Sequence, residues 1–400
     1  MLLNGKQVWN IISPDAKGLH MKTCYRFFLH VILYLILLCI IPFCVTAEED
    51  IATIHFTKVI CKEPGRYIGW PSITLTSEGQ LIAVFSGDRD AHVCPWGKTQ
   101  MVRSGDDGRY WTQPVVINNT PLDDRDAGII ETHEGTLLVS WFTSLAFEKY
   151  SGDPQYLRHG EKLTPALREE WLGHWVRRSE DGGKSWGPYI RTNGSTPHGP
   201  IQLSDGRLLY VGKGIYDKVG NYANTVEESL DDGRTWKLIA TIVIPPGEEM
   251  AHYHEPHVVE LTNSKLVALF RYQPTDKSQC FLRQTESTDG GRTWSVCHAT
   301  PIWGYPPHLI QLENGWLLVV YGRRIPPYGE RACISRNGGK TWDIEHEIVL
   351  CEARNDDLGY PASVQLDDGS IFTVFYQQDG IDEKTCLMGT KWELKLTDAP

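Results

Sequence analysis

Residues 179–186 read SEDGGKSW, a turn sequence that ends in tryptophan, and the chain repeats it. SGDDGRYW spans 104–111, SLDDGRTW 229–236, STDGGRTW 287–294 and SRNGGKTW 335–342, with Asn337 in the place of the shared Asp. The chemistry of the octet is that of a tight turn. The Asp carboxylate accepts backbone N–H bonds within the turn and the glycines take positive φ. The Trp ring is expected to pack beneath the turn and pin a hairpin. The octets begin 48 to 75 residues apart, a spacing that suits propeller blades and not helical solenoids.

A second repeat runs in phase with the first. GWPSITLTSEGQLIAVFSG (69–87), HGPIQLSDGRLLYVGKG (198–214), EPHVVELTNSKLVALFRY (255–272), YPPHLIQLENGWLLVVYGRR (305–324) and YPASVQLDDGSIFTVFYQ (360–377) share one plan. Each has a proline, a short apolar strand, a polar turn and a second apolar strand, which reads as a hairpin. DAGIIETHEGTLLVSWFTS (126–144) is a sixth, without the proline. Six such hairpins, five followed by an octet hairpin, predict an all-β fold: a six-bladed β-propeller of four-stranded blades. The last blade lacks an octet and is expected to be completed by a strand near 51–60. A short helix is expected within 161–174, inside a long insertion.

Composition is that of a folded protein, 41% hydrophobic and 22% charged. The formal charge of −11 argues against nucleic acid as a partner. An acidic glycan remains compatible, because clustered Arg can hold a carboxylate on an acidic protein. Residues 1–47 read as a signal peptide or signal anchor: Lys22 and Arg26 precede the apolar run 27–45, and Val45-Thr46-Ala47 has signal-peptidase spacing. Residues 48–400 are then an exported domain, secreted or periplasmic, with a membrane as partner only if the leader is uncleaved. Seven cysteines follow the leader (Cys61, Cys94, Cys280, Cys297, Cys333, Cys351 and Cys386), none at metal-ligand spacing. Their odd number leaves at least one thiol unpaired within the chain. Asn118 and Asn193 begin glycosylation sequons.

Five octets in phase with the inner hairpins resemble the sialidase (neuraminidase) superfamily, whose repeats are called Asp-boxes, over essentially all of 55–395. The octets lie on the rim and are scaffold, so chemistry belongs on the inner strands at the axis. The residues that converge there are Trp70, Asp124, Arg125, Asp126, His198, His252, His254, Glu255, His308 and Tyr360. Strand ends add Arg89, Asp90, Arg271, Arg323 and Arg324. Buried charges cost several kcal/mol unless paired, and such a cluster suits a charged ligand. The histidines read as polar channel contacts, and no metal or cofactor is expected.

The resemblance implies roles. Tyr360, in GYPASVQL, matches the family's nucleophile, and Glu255, in HEPHVVEL, the base that activates it. A phenol suits a sugar bearing a carboxylate beside the anomeric carbon, where a carboxylate nucleophile would be repelled. Arg89, Arg271 and Arg324 (or Arg323) are the expected carboxylate clamp, with His198 and Trp70 as further substrate contacts. Where the family carries Phe-Arg-Ile-Pro this chain has Ile68-Gly69-Trp70-Pro71. An arginine is therefore missing in register, with Arg66 three residues earlier. Asp90 is the expected general acid, with His92 and Asp126 as rivals. The functional expectation is a retaining exo-glycosidase acting on a terminal acidic sugar such as sialic acid. The alternatives are another propeller glycosidase, a lyase of uronic-acid polysaccharides, and a non-catalytic glycan-binding propeller.

Overall fold

The computed structural model describes residues 51–150, 152–215 and 222–395; the leader lies outside them. Six antiparallel sheets follow one another along the chain. Blade 1 holds Tyr67–Leu75, Leu81–Arg89, Lys98–Ser104 and Val115–Asn118. Blade 2 begins at Asp123–Glu131 and blade 4 at Tyr253–Glu260. Blade 5 begins at Pro307–Gln311 and blade 6 at Gly359–Gln365. In blade 3 the inner strand is split into Gly194–Ser195 and Ile201–Gln202. Successive blades touch around the ring through their inner and second strands. The ring closes as the sequence predicts: Ala52–Cys61 pairs antiparallel with Cys386–Leu394, so the first strand completes the last blade. An edge that would otherwise stay open is thereby paired.

The core lies between blades, in six apolar seams. Ile82, Val84 and Ile117 of blade 1 meet Ile129, Val139 and Trp141 of blade 2. Val267 and Leu269 of blade 4 meet Leu309 and Val319 of blade 5. Ala83 and Phe85 of blade 1 meet Phe372 and Val374 of blade 6. Because each sheet is covered on both faces, the middle strands are continuous apolar runs such as LLVVY and VALF, without alternation.

The octets are turns built as their chemistry requires. Ser229 Oγ accepts from Gly233 N (2.9 Å) and donates to Asp231 Oδ1 (2.8 Å), which in turn accepts from Thr235 N (2.8 Å). Asn337 reproduces this with its amide oxygen, accepting from Thr341 N at 2.9 Å. Where the octet reads DDG, Asp107 and Asp232 take the left-handed position (φ 57° for both) that Gly182, Gly290 and Gly338 fill in the GG octets.

The insertion after blade 2's second strand holds two helices, Pro154–Lys162 and Pro165–Trp171, so helix begins earlier than the expected 161–174. Asp153 and Thr164 cap them, each followed by proline at the first helical position. All seven described cysteines are free and mostly buried, and burial pushes Cys61, Cys297, Cys333 and Cys386 up to about 12. Asn118 is buried and bonded to Arg177, which closes that sequon to a glycan, whereas Asn193 is exposed.

Candidate active site

Four inner strands carry the same deformation. Trp70, Asp126, Glu255 and Tyr360 have φ of 55°, 53°, 44° and 54°. Each lies where the ladder slips by one residue: between Gly69 and Ser72, Arg125 and Gly128, His254 and His257, Gly359 and Ala362. These are β-bulges, which re-aim the extra residue's side chain. Left-handed backbone at a non-glycine residue costs about 1–3 kcal/mol and gathers at functional sites. Proline follows three of the four, and a bulge is where a strand tolerates a missing N–H.

The bulges bring Tyr360 and Glu255 together. Tyr360 Oη donates to Glu255 Oε1 at 2.5 Å. Arg271 Nη1 donates to both Glu255 oxygens (3.1 and 2.8 Å) and lies 3.5 Å from Tyr360 Oη. Burial alone would raise the Glu255 carboxyl, but the Arg271 guanidinium outweighs it and holds Glu255 below its ordinary range. Burial pushes the Tyr360 phenol well up, and the charges of Glu255 and Asp126 push it further. The pair therefore rests as phenol and carboxylate, the state in which a base can take the nucleophile's proton.

Arg324 approaches from blade 5. Its Nη2 donates to Tyr376 Oη (3.2 Å), and its guanidinium stands 5.7 Å from the Tyr360 ring and 5.5 Å from Tyr305, which Arg271 covers at 4.4 Å. Nε of both Arg271 and Arg324 is buried without a partner. Two guanidiniums around one tyrosine, each with an unbonded Nε, have the chemistry that suits a planar anion. Asp126 completes the group. Burial raises its carboxyl to about 7, Arg125 opposes this and Glu255 adds to it, and Oδ1 is buried with no hydrogen bond, Arg125 Nε lying 4.0 Å away. At the blade 3 edge, Lys213 Nζ lies 2.9 Å from His254 Nδ1.

Four expected site residues do not join this group. Asp90 is ion-paired with Arg66, which also holds Asp88 at 2.9 Å. That pairing ties Asp90 and Arg66 to each other, and neither hydrogen-bonds to Tyr360, Glu255, Arg271 or Arg324. Arg89 is fully buried and occupied: Asp123 of blade 2 takes it bidentately at 2.5 and 2.9 Å, and Ser86 of its own strand accepts at 2.8 Å. Trp70 is fully buried too, with Arg89 4.6 Å and Arg125 4.1 Å from its ring, so it offers a sugar no free face. His198 packs against His257 (5.4 Å) and His308 (4.8 Å), a buried imidazole trio that bonds to none of the catalytic candidates.

With that geometry in view, the model of the BNR repeat-like domain matches residues 160–373. The chain belongs to the BNR repeat-like family. No curated protein matches it. Among solved structures, this BNR-like propeller is similar to a protein of unknown function from Dyadobacter fermentans. The identity is 23% and the TM-score 0.72, covering 86% of this chain and 100% of that one. It is also similar to the NanB sialidase of Streptococcus pneumoniae (14%, TM-score 0.59, 88% and 71% covered). A third is an α-L-arabinanase of Penicillium chrysogenum (17%, TM-score 0.57, 84% and 98% covered). At such identities the likeness is one of fold.

Asp126 carried a usable signal in the BNR-like repeats. Trp70, Asp126, Glu255 and Tyr360 each precede the turn residue of their hairpin (Gly79, Gly135, Ser264, Gly369) by the same nine positions. Lys213 carried none, since only the fold brings it to the site.

Proposed function

We propose that the protein is a retaining exo-glycosidase that removes a terminal acidic sugar from exported or extracellular glycans. Tyr360 is the nucleophile, Glu255 its base and Asp126 the general acid, with Arg271 and Arg324 holding the sugar carboxylate. The observation that carries this reading is the 2.5 Å bond between Tyr360 Oη and Glu255 Oε1, flanked by two arginines with unpartnered Nε. A glycan-binding propeller has use for the arginines but none for a phenol held on a carboxylate.

In the first half-reaction Tyr360 Oη attacks the anomeric carbon and passes its proton to Glu255. The bond to the leaving oxygen breaks, and Asp126 supplies that oxygen with a proton. Arg271, beside Oη, favours the developing phenolate. Water then attacks the tyrosyl-linked sugar, Asp126 takes its proton, and Glu255 returns the proton to Tyr360. The likeness to the NanB sialidase supports this reading, as do the acidic-sugar receptor and the Tyr–Glu pair. Gly69 and Trp70 stand where an arginine is missing, so the receptor has two arginines in place of three.

The test uses residues 48–400 with the 4-methylumbelliferyl glycosides of sialic acid, glucuronic acid and arabinofuranose, and Tyr360→Phe as control. Release from an acidic sugar that vanishes in the variant supports the assignment. Binding without release supports a lectin, and an unsaturated product absorbing in the near ultraviolet supports a lyase.

A further inference from the structure

His92 sits on the loop that follows blade 1's second strand, and it is fixed on every side but one. Arg89 Nη2 (3.1 Å) and Arg125 Nη1 (3.2 Å) both donate to its carbonyl oxygen. The next carbonyl, of Val93, accepts from Tyr156 Oη (3.2 Å) of the helical insertion. The imidazole stands edge-on to Trp70 at 5.0 Å, and its Nδ1 lies 2.9 Å from Tyr67 Oη. Tyr67 in turn donates to Asp357 Oδ1 at 2.8 Å. Two arginines, a buried tyrosine and a carboxylate are a large investment for one loop residue whose side chain is still 49% exposed.

The bonds determine the tautomer. A phenol has one proton, and a carboxylate only accepts. Tyr67 gives its proton to Asp357, so it must accept from His92, which places the His92 proton on Nδ1. Nε2 is left with a bare lone pair, and among the described residues nothing donates to it. Trp70 is the neighbour His92 shares with the nucleophile, 6.4 Å from the Tyr360 ring, and the charge of Arg324 acts on both His92 and Tyr360. His92 thus lies one aromatic ring away from the nucleophile, with its half-exposed edge unpaired.

We propose that His92 is a specificity-determining residue whose Nε2 accepts a hydroxyl of the leaving-group sugar, held in that tautomer by Tyr67 and Asp357. The proposal rests on the glycosidase reading for its substrate. It selects a glycan leaving group over an aryl one, because only the former brings a hydroxyl to the lone pair.

The experiment compares His92→Phe with the unaltered protein on 3′-sialyllactose and on the methylumbelliferyl sialoside, with the glucuronyl disaccharide and its aryl counterpart run in parallel. The expected result is a KM about tenfold higher on the disaccharide, the loss of one hydrogen bond, with the aryl glycoside changed by less than about twofold. Equal losses on both substrates overturn the proposal, as does a kcat loss confined to the disaccharide that removes a limb of the pH profile, which would make His92 an acid. Nitrogen-15 NMR of the His92 ring supplies a readout independent of turnover. The free protein should show Nδ1 protonated, and Tyr67→Phe should release that tautomer. In the Tyr360→Phe variant, saturating disaccharide should shift Nε2. A ring protonated on Nε2, or an Nε2 resonance unmoved by either disaccharide, overturns the proposal even if no glycoside is hydrolysed.

Discussion

Tyr360 and Glu255 come from blades 6 and 4, yet Oη and Oε1 stand 2.5 Å apart because both residues occupy left-handed bulges on inner strands. Glu255→Gln keeps the shape and removes the base, and turnover should fall about 10²- to 10⁴-fold with KM nearly unchanged. Tyr360→Phe should fall to background while still binding the substrate. Steady-state kinetics with calorimetric binding checks both, and a Tyr360→Phe enzyme that keeps its rate would exclude tyrosyl catalysis.

Asp126 must be protonated to act as acid, and burial sets its carboxyl at about 7. The kcat/KM profile should decline above that pH, and Asp126→Asn should remove the decline along with most activity on poor leaving groups. Stability moves the other way. The folded state keeps a proton that the unfolded chain releases near pH 4, so the burial costs stability progressively between about pH 4 and pH 7. Asp126→Asn should therefore unfold at higher urea concentration at pH 7, by about 1 kcal/mol or more.

Arg271 and Arg324 differ in what their loss should do. Arg324→Met removes a charge-assisted contact and should raise KM about 10- to 100-fold. Arg271→Met should do the same and also free Glu255 to titrate higher, because Arg271 is what holds that carboxylate down. Since the base must be ionised, the acid limb of the pH profile should move to higher pH in Arg271→Met and by less in Arg324→Met, since the Arg324 charge acts on Glu255 without bonding to it. Parallel pH profiles of the two variants decide it.

The fold was legible because propeller turns are local chemistry written repeatedly. Ser-Asp-Gly-Trp spacing locates each outer hairpin, and the missing sixth octet pointed to closure by 51–60. The resemblance named Tyr360, Glu255 and Arg271 from their hairpins, and the structure brings the three side chains together. The partners of Arg89 and Asp90 were not legible, because partner choice is not sequential. Arg89 turns to Asp123, 34 positions on, and Asp90 to Arg66, 24 positions back. Trp70 shows the same limit. Its bulge matches that of Tyr360, but two stacked arginines bury it.

His198, His257 and His308 give the channel an acid sensitivity. Burial pushes all three well down, His257 to about 3, so they stay neutral in the fold while the unfolded chain protonates near 6.5. Their contribution is complete above about pH 6.5 and is lost as pH falls below it, at up to about 1.4 kcal/mol per pH unit for each imidazole. His308→Gln should reduce the slope of stability against pH between 6.5 and 5 by about one proton. Urea titrations across that range measure it, and an unchanged slope would mean that His308 titrates alike in both states.

The octets should govern stability and leave catalysis untouched. Ser229 is buried, and its Oγ satisfies Gly233 N at 2.9 Å while orienting Asp231 at 2.8 Å. Ser229→Ala leaves that N–H unpaired and should cost about 1–2 kcal/mol, with kcat and KM unchanged because the turn touches no residue of the axial site. Gly233→Ala should cost more. Its φ of 81° disfavours any side chain, and an added Cβ would lie 2.3 Å from Leu138 Cδ1 across the blade 2 seam. Asn337→Asp should be nearly neutral, since Asn337 already makes the carboxylate's bond to Thr341 N. Denaturation midpoints should be lowest for Gly233→Ala, higher for Ser229→Ala and nearly unchanged for Asn337→Asp, and a ranking in which Asn337→Asp is the most damaging would show that the octets are not equivalent.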